Sequence, residues 1–223
     1  MAQKILIVGA SRGIGLELAR QCKARGDQVT ATVRSDTGAA ALADLDVTVL
    51  KADIVDEAAL TAVASAVDGI DLMICNAGIY RGRGDMHAED TGADAWQEVL
   101  MTNIAGPFLA VKACLPNITA PGGKIAVISS VMGSTAGVTG NNYIYRSSKA
   151  GATNVACNLA QELASKGISV GAYHPGWVQT DMGGTSAPVT IPDSAAGLLA
   201  RFEALGPETT GVFEDYQGAP IPY

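Results

Sequence analysis

Short apolar runs alternate with longer amphipathic segments along the whole chain. Strand-like runs occupy 4–8, 29–33, 47–50, 70–75, 123–129, 168–173 and 210–213, while helical periodicity covers 14–24, 56–67, 95–115, 143–165 and 191–205. Near-continuous apolar strands separated by helices are typical of parallel sheets that are covered on both faces. The pattern therefore predicts an α/β fold with a doubly wound parallel sheet.

Length and composition limit the classes of protein to consider. The chain has 223 residues, 48% hydrophobic and 17% charged, which suits one folded domain spanning 1–223 and excludes disorder. The formal net charge is −7 and no run of Lys or Arg occurs, so we expect neither a nucleic-acid nor an anionic-membrane partner. No uninterrupted apolar stretch approaches about 18 residues, the length of a membrane span.

Cysteine and histidine usage indicates a reducing compartment and no metal site. Cys22, Cys75, Cys114 and Cys157 are widely spaced and form no CxxC pair, which is typical of reduced thiols rather than of a disulfide or zinc framework. With only two histidines in the chain, metal ligation is not expected. We therefore predict a cytoplasmic protein without a metal.

A glycine-rich turn, Gly9–Gly15, lies between the first predicted strand and the first predicted helix. In a doubly wound, Rossmann-type sheet a helix N-terminus meets a pyrophosphate here, and glycines permit the tight turn and the close approach of the backbone. The spacing is GxxxGxG rather than GxGxxG, and a plain glycine turn before a helix is the alternative. We favour dinucleotide binding and assign the phosphate contacts to Gly9, Ser11, Arg12, Gly13, Ile14 and Gly15.

The residues after the second predicted strand indicate which dinucleotide binds. An NAD-binding fold places an Asp or Glu here for the ribose 2′-hydroxyl, yet no acid occurs before Asp36. Arg34 instead suits a 2′-phosphate, as does Arg12 in the glycine turn. Two guanidinium groups near that phosphate predict a preference for NADP(H) over NAD(H); the alternative is that both arginines are ordinary surface charges.

Tyr145 and Lys149 stand four residues apart in a segment predicted to be helical, so they share one face of the helix. A neighbouring ammonium group favours phenolate and should lower the phenol pKa from about 10. A tyrosine tuned in this way can give or take a proton near neutral pH. The spacing alone also fits a solvated helical pair. Tyr143 is the weaker candidate for the phenol, because its +4 residue is Ser147.

With the glycine turn, Asn76-Ala77-Gly78 and the Tyr145/Lys149 pair in this order, the chain resembles the short-chain dehydrogenase/reductase family over about 4–182. The stretches 145–150 and 174–178 look like those of C-factor-like and sniffer-like carbonyl reductases. Two departures are present. Cys75 stands where the family often has an asparagine, and Ser130 lies slightly further from Tyr145 than is usual.

The resemblance implies roles for individual residues. Tyr145 would be the proton donor, and Lys149 would lower its pKa and hold the ribose of the nicotinamide half. Ser130 would donate to the developing oxyanion, and Asn103 would anchor a water that links Lys149 to solvent. Each of these two residues also has a structural alternative when it is considered alone. Ser130 could cap a strand, and Asn103 could be a polar helix residue that is hydrogen-bonded to the backbone. Further cofactor contacts implied by the resemblance are Asp53, Ile54, Asn76, Ala77, Gly78, Tyr145, Lys149, Pro175, Gly176, Val178 and Thr180.

These features predict an NADPH-dependent oxidoreductase that interconverts a small-molecule carbonyl compound, ketone or aldehyde, and its alcohol. A cofactor-binding signalling or regulatory protein with incidental catalysis is the alternative. Small apolar residues in the Tyr145 helix (Ala150, Ala152, Val155, Ala156 and Leu159) favour a homodimer or homotetramer, although a core-facing stripe has the same pattern. The segment 182–188 is rich in glycine and predicts a mobile lid.

Replacing Arg34 tests the cofactor preference. Arg34→Asp removes a cation for the 2′-phosphate and supplies a carboxylate for the 2′-hydroxyl, so the ratio of NADPH to NADH affinity should shift strongly toward NADH. Titration of the protein with each cofactor by calorimetry gives this ratio. An unchanged ratio would contradict the assignment.

Overall fold

A parallel sheet forms the centre of the protein, whose computed structural model describes residues 2–223. Within that range the strand order is β3-β2-β1-β4-β5-β6-β7, with every neighbouring pair parallel. The order reverses between β1 and β4, which confirms the doubly wound, Rossmann-type sheet. The strands are β1 Lys4–Val8, β2 Gln28–Val33, β3 Thr48–Lys51, β4 Leu72–Cys75, β5 Lys124–Ile128, β6 Ser169–His174 and β7 Phe213–Asp215.

Helices cover both faces of this sheet. Two apolar cores result: α1 and α7 pack on one face, and α3, α5 and α6 pack on the other. The predicted helices are present, and the short α2 was not predicted. The helices are α1 Gly13–Ala24, α2 Asp36–Ala40, α3 Glu57–Ala66, α4 Ala93–Leu100, α5 Gly106–Cys114, α6 Tyr143–Leu163 and α7 Ile191–Ala204.

The alternation of side chains along the strands explains why the strands are apolar throughout. In β1, Ile5 and Ile7 enter the core beneath α1 and α7, whereas Leu6 and Val8 enter the core beneath α3, α5 and α6. Each strand of this kind is buried on both faces, so no polar alternation survives in the sequence. The apolar runs and the helical periodicity therefore have one cause, which is the packing of helices on both faces of the sheet.

A π-helical turn divides the helix predicted over 95–115. Met101–Ala105 forms this turn between α4 and α5, and Pro107 follows in the first turn of α5, where its missing N–H is tolerated. The combined run Ala93–Asn117 is long and apolar enough to cross a membrane by length and composition alone. In the fold its α5 portion packs on α3 and the sheet, which accounts for its apolar character.

Helix α6 directs its small apolar residues toward the sheet. Ala152, Ala156 and Leu159 are buried in the core, so three of the five residues that suggested an oligomer interface form the core-facing stripe instead. Ala150 and Val155 are only half-buried. All four cysteines are free thiols, three of them buried. The oligomeric state stays a prediction that this helix does not support.

Phe202 offers a test of the core beneath α7. Its ring is 1% exposed and meets Tyr173 edge-on, with ring centroids 5.0 Å apart. Phe202→Ala should lower the free energy of unfolding by about 3–5 kcal/mol, because a large cavity replaces the ring. Phe108 is 45% exposed, and Phe108→Ala should change that free energy by no more than about 0.5 kcal/mol. Urea unfolding of both variants measures the difference, and equal losses would contradict the packing.

Candidate active site

One cavity of about 690 Å³ opens at the carboxyl ends of the strands. Open α/β sheets bind ligands at this edge, next to the point where the strand order reverses. The cavity wall contains most of the predicted site residues: Gly9, Ser11, Arg12, Gly13, Ile14, Arg34, Asp53, Ile54, Asn76, Ala77, Gly78, Tyr145, Lys149, Pro175 and Thr180. The structure therefore brings together residues that are far apart in the chain.

The N-terminus of α1 forms an anion-binding end of this cavity. Its first turn carries no acidic residue, and no side chain caps it. The first N–H groups of a helix have no partner inside the helix, so here they are available to a ligand. Gly9 has a φ of +91°, and a Cβ on it would lie 2.7 Å from Ala77. The turn thus requires glycine and suits a pyrophosphate.

Arg34 follows β2 directly and lines the cavity without an ion pair to any of residues 2–223. The nearby acid, Asp36, pairs with Lys51 at 2.8 Å. Arg12 also lines the cavity, with its guanidinium 3.1 Å from Asp181, and both of those side chains are exposed. A free guanidinium at this position suits a 2′-phosphate better than a 2′-hydroxyl.

Asn76 fastens the glycine turn to the end of β4. Its Nδ2 donates to the carbonyl oxygen of Gly9 at 2.6 Å. Gly15 lies beneath this bond rather than on the cavity wall, and a Cβ on Gly15 would collide with Gly9 and Asn76. The sequence had placed both residues in contact with the cofactor. For Gly15 the structure gives a packing role.

Tyr145 lies at the opposite end of the cavity and is 8% exposed. Burial raises its pKa to about 12, and Tyr80 adds to the rise, whereas a hydrogen bond with Ser130 and the charge of Arg83 lower it. The sequence predicted the opposite direction through Lys149. Lys149 Nζ is 5.7 Å from the Tyr145 ring centroid and donates to Ile128 O at 2.8 Å, so desolvation dominates.

Lys149 is held by the end of β5. Burial lowers its pKa to about 8, so its ammonium form prevails at neutral pH. A hydrogen bond of 2.6 Å joins the hydroxyls of Ser129 and Thr153, and the hydroxyl that accepts in this bond donates to the carbonyl oxygen of Lys149, which lies 3.1 Å from Ser129 Oγ and 3.0 Å from Thr153 Oγ1. Gly133 lies close to the same stretch of backbone. This arrangement fixes α6 against the sheet at the residue that carries the ammonium group.

Asn103 lies in the π-helical turn, off the cavity wall, and its side chain is fully engaged by protein groups. Its Nδ2 donates to Ile79 O and to Ser148 Oγ, both at 2.9 Å, and its Oδ1 accepts from the Ile79 N–H at 2.8 Å. A Cβ on Gly78 would lie 3.4 Å from Asn103 Oδ1 and 3.5 Å from Lys149 Nζ. Asn103 therefore positions the backbone beside Lys149, and the water-anchoring role implied for it stays a prediction.

The segment after β6 closes one side of the cavity. Gly176 has a φ of +88°, and Gly176 and Val178 support the wall without lining it. Thr180 Oγ1 accepts from the Gly183 N–H at 3.1 Å, and Trp177 Nε1 donates to Gly183 O at 2.8 Å. The indole thus braces the segment that the sequence identified as a lid.

His174 does not contribute a charge to the site. Burial lowers its pKa to about 4, and the nearby Lys149 lowers it further while Asp215 opposes the shift. Its Nδ1 is buried and has no hydrogen-bond partner among the described residues. Residues 2–223 contain no group of three or more His, Cys, Asp or Glu side chains that could hold a metal ion.

Sequence reasoning missed several residues of the site. Thr32 accepts the Gly9 N–H through Oγ1 at 3.1 Å, and a polar residue inside an apolar strand could have indicated it. Ser129 follows β5 and lines the cavity, whereas the predicted Ser130 lies off the wall and its Oγ accepts from the Met132 N–H at 3.1 Å. Tyr80 stacks on Tyr145, and no periodic or motif signal marks it. Such contacts depend on the path of a loop, which local pattern does not specify.

Fold and cavity together have the features of a dinucleotide-binding site, and the chain is similar in sequence to proteins that include a reductase. The chain is 36% identical over 159 residues to C-signal of Myxococcus xanthus, covering 69% of this chain and 93% of that protein. It is 32% identical over 207 residues to the 3-oxoacyl-[acyl-carrier-protein] reductase FabG of Escherichia coli K12, covering 89% and 81% respectively.

Solved structures give the same result. The carbonyl reductase Sniffer of D. melanogaster matches with a TM-score of 0.93, 28% identity and full coverage of both chains. The NADPH-bound carbonyl reductase from chicken fatty liver matches with a TM-score of 0.91 and 29% identity, covering 100% of this chain and 99% of that one. The short chain dehydrogenase family model matches residues 3–189. The protein belongs to the short-chain dehydrogenase/reductase family of oxidoreductases.

The buried ammonium group generates a pH-dependent stability that can be measured. Between pH 8 and 10.5 the unfolded chain keeps a proton that folded Lys149 has released, so folding gains stability as pH rises through this window. Lys149→Met removes this contribution. The unfolding free energy of the wild type minus that of the variant should rise by about 3 kcal/mol across the window.

Urea unfolding at stepped pH values measures this difference. Lys166→Met, which removes an exposed lysine just after α6, is the control for a lost lysine. A pH-independent difference for Lys149→Met would contradict the assigned burial cost.

Proposed function

We propose that the protein is an NADPH-dependent carbonyl reductase that converts a ketone or aldehyde to its alcohol. The observation that carries this proposal is one cavity with an uncapped helix N-terminus and Arg34 at one end and Tyr145 and Lys149 at the other. The first end suits the phosphates of a dinucleotide, and the second end suits the reacting carbonyl.

The residues present fit NADPH. Gly9 and Gly13 leave room for a pyrophosphate at α1, Arg34 offers its cation to the 2′-phosphate, and Lys149 lies where the ribose of the nicotinamide half would be held. Asp53 would lie beside the adenine. Similar structures from chicken fatty liver and Burkholderia multivorans carry NADPH and NADP, respectively. Bound nicotinamide would supply the hydride.

Tyr145 would supply the proton. With its pKa raised to about 12, the phenol keeps its proton at neutral pH, which is the form that a donor to a developing alkoxide needs. Ser130, whose Oγ accepts from the Met132 N–H at 3.1 Å, would donate its hydroxyl proton to the same oxygen and stabilise its charge. After transfer, the ammonium group of Lys149 would stabilise the phenolate.

A neutral phenol beside a protonated lysine is the form that donates a proton during reduction, and the same phenol would take the proton back during oxidation. The regulatory alternative does not require Tyr145, Ser130 and Lys149 to lie together. We also propose that the protein is cytoplasmic and that any oligomer forms through surfaces other than the core-facing stripe of α6.

Replacing Tyr145 tests the proposed chemistry. Tyr145→Phe removes the donated proton and should lower turnover by about 10²-fold or more, while NADPH affinity stays close to that of the wild type. Nicotinamide absorbance followed with a panel of ketones and aldehydes measures turnover, and calorimetry measures cofactor binding.

Tyr143→Phe is the matched control, since Tyr143 lies two residues away and is 41% exposed. It should retain wild-type turnover. Full activity of Tyr145→Phe would show that Tyr145 is not the proton donor. NADPH binding without turnover of any carbonyl compound by the wild type would favour the regulatory alternative.

A further inference from the structure

The loop after β4 places a second aromatic ring on Tyr145. Tyr80 stacks against it with the ring centroids 4.2 Å apart and the planes inclined by 22°. Asn103 holds the preceding residue, Ile79, through both its N–H and its carbonyl oxygen, so the base of the loop is fixed from the π-helical turn. The anchored backbone therefore places the Tyr80 ring against the Tyr145 ring.

Arg83 extends this stack. Its guanidinium carbon lies 4.3 Å from the centroid of the Tyr80 ring. Because Tyr145 covers one face of that ring, the guanidinium covers the other. The order of groups is then guanidinium, Tyr80 ring and Tyr145 ring, in which a cation–π contact follows an offset aromatic pair.

The same guanidinium reaches the segment that closes the cavity. Its Nη2 donates to Met182 O at 2.8 Å, and Met182 lines the cavity. The adjoining Gly183 accepts from Trp177 Nε1 and donates to Thr180 Oγ1. A continuous series of contacts therefore joins the 182–184 segment to the ring of Tyr145.

We propose that Tyr80 and Arg83 are positioning residues that hold the Tyr145 ring for proton transfer and couple it to the 182–184 segment. The proposal rests on the proposed carbonyl reductase activity and adds two residues to it. Tyr80 limits tilting of the phenol ring, and Arg83 holds Tyr80 in place from the opposite face. Displacement of the 182–184 segment would release Arg83 and loosen the stack.

Arg81 provides a matched control in the same loop. Its guanidinium pairs with Asp90 and Glu98, and its side chain makes no hydrogen bond or ion pair with Tyr80, Arg83 or Tyr145 among the described residues. Loss of Arg81 removes an arginine and two loop contacts while leaving Tyr80 and Arg83 in place. Comparison of Arg83→Met with Arg81→Met therefore separates an effect on Tyr145 from a general effect on the loop.

Steady-state kinetics test the positioning role. Arg83→Met and Tyr80→Leu should each lower kcat by about tenfold, because the proton donor loses its support, and Tyr80→Leu, which leaves the Arg83–Met182 contact in place, should keep the KM for NADPH unchanged. Tyr80→Phe keeps the stacked ring and should stay within about twofold of the wild type. Arg81→Met should have wild-type kcat.

Three kinetic results would overturn the proposal. Wild-type kcat in both Arg83→Met and Tyr80→Leu would show that the stack does not support the phenol. A higher kcat/KM in Tyr80→Leu would show that the ring obstructs substrate instead. An equal loss of kcat in Arg81→Met would assign the effect to folding of the loop.

Hydrogen–deuterium exchange tests the coupling without any turnover. Arg83→Met should accelerate amide exchange in a peptide covering 180–187, where the Gly183 and Gly184 N–H groups bond to Thr180, and Arg81→Met should not. Unchanged exchange in Arg83→Met would overturn the coupling. If the wild type reduces no carbonyl compound, the proposed function fails, whereas the exchange result still decides whether Arg83 holds the segment.

Discussion

Burial of the Lys149 ammonium group at the carboxyl edge of the sheet is the constraint on which the site depends. A charge in such a place is costly unless it is hydrogen-bonded, and the carbonyl oxygen of Ile128 at the end of β5 accepts a hydrogen bond from the ammonium group. Its pKa falls to about 8, yet the charged form survives at neutral pH. The hydroxyls of Ser129 and Thr153 fix the same turn of α6, so the position of the sheet determines the position of the charge.

Opposing influences set the protonation state of Tyr145, the proposed proton donor. Burial favours the neutral phenol, while Ser130 and Arg83 favour phenolate, and burial prevails. This balance keeps the proton on the phenol until negative charge develops on a neighbouring oxygen. Lys149 is not among the groups that shift the Tyr145 pKa in the structure, so its pKa-lowering role stays a prediction.

The fold was predictable because its main signals are local. Apolar strands such as Ile5–Val8 and the glycine turn at Gly9 are decided by residues that are adjacent in sequence. The division of the 95–115 helix was not predicted, since a π-helical turn depends on packing around Asn103 and on Pro107 beyond it. Nor could sequence separate the core face of α6 from a free face, because Ala152 and Ala156 suit both. The Tyr80 stack depends on the path of a loop.

The two ends of the cavity also differ in how well the sequence predicts them. Backbone geometry builds the phosphate end, so short motifs describe it well. The other end is built from loops that follow β4 and β6, which place Ile79, Met182 and Thr185 on the cavity wall. Loops vary in length and sequence more than the strands that they connect, so local sequence patterns describe this end of the cavity less well.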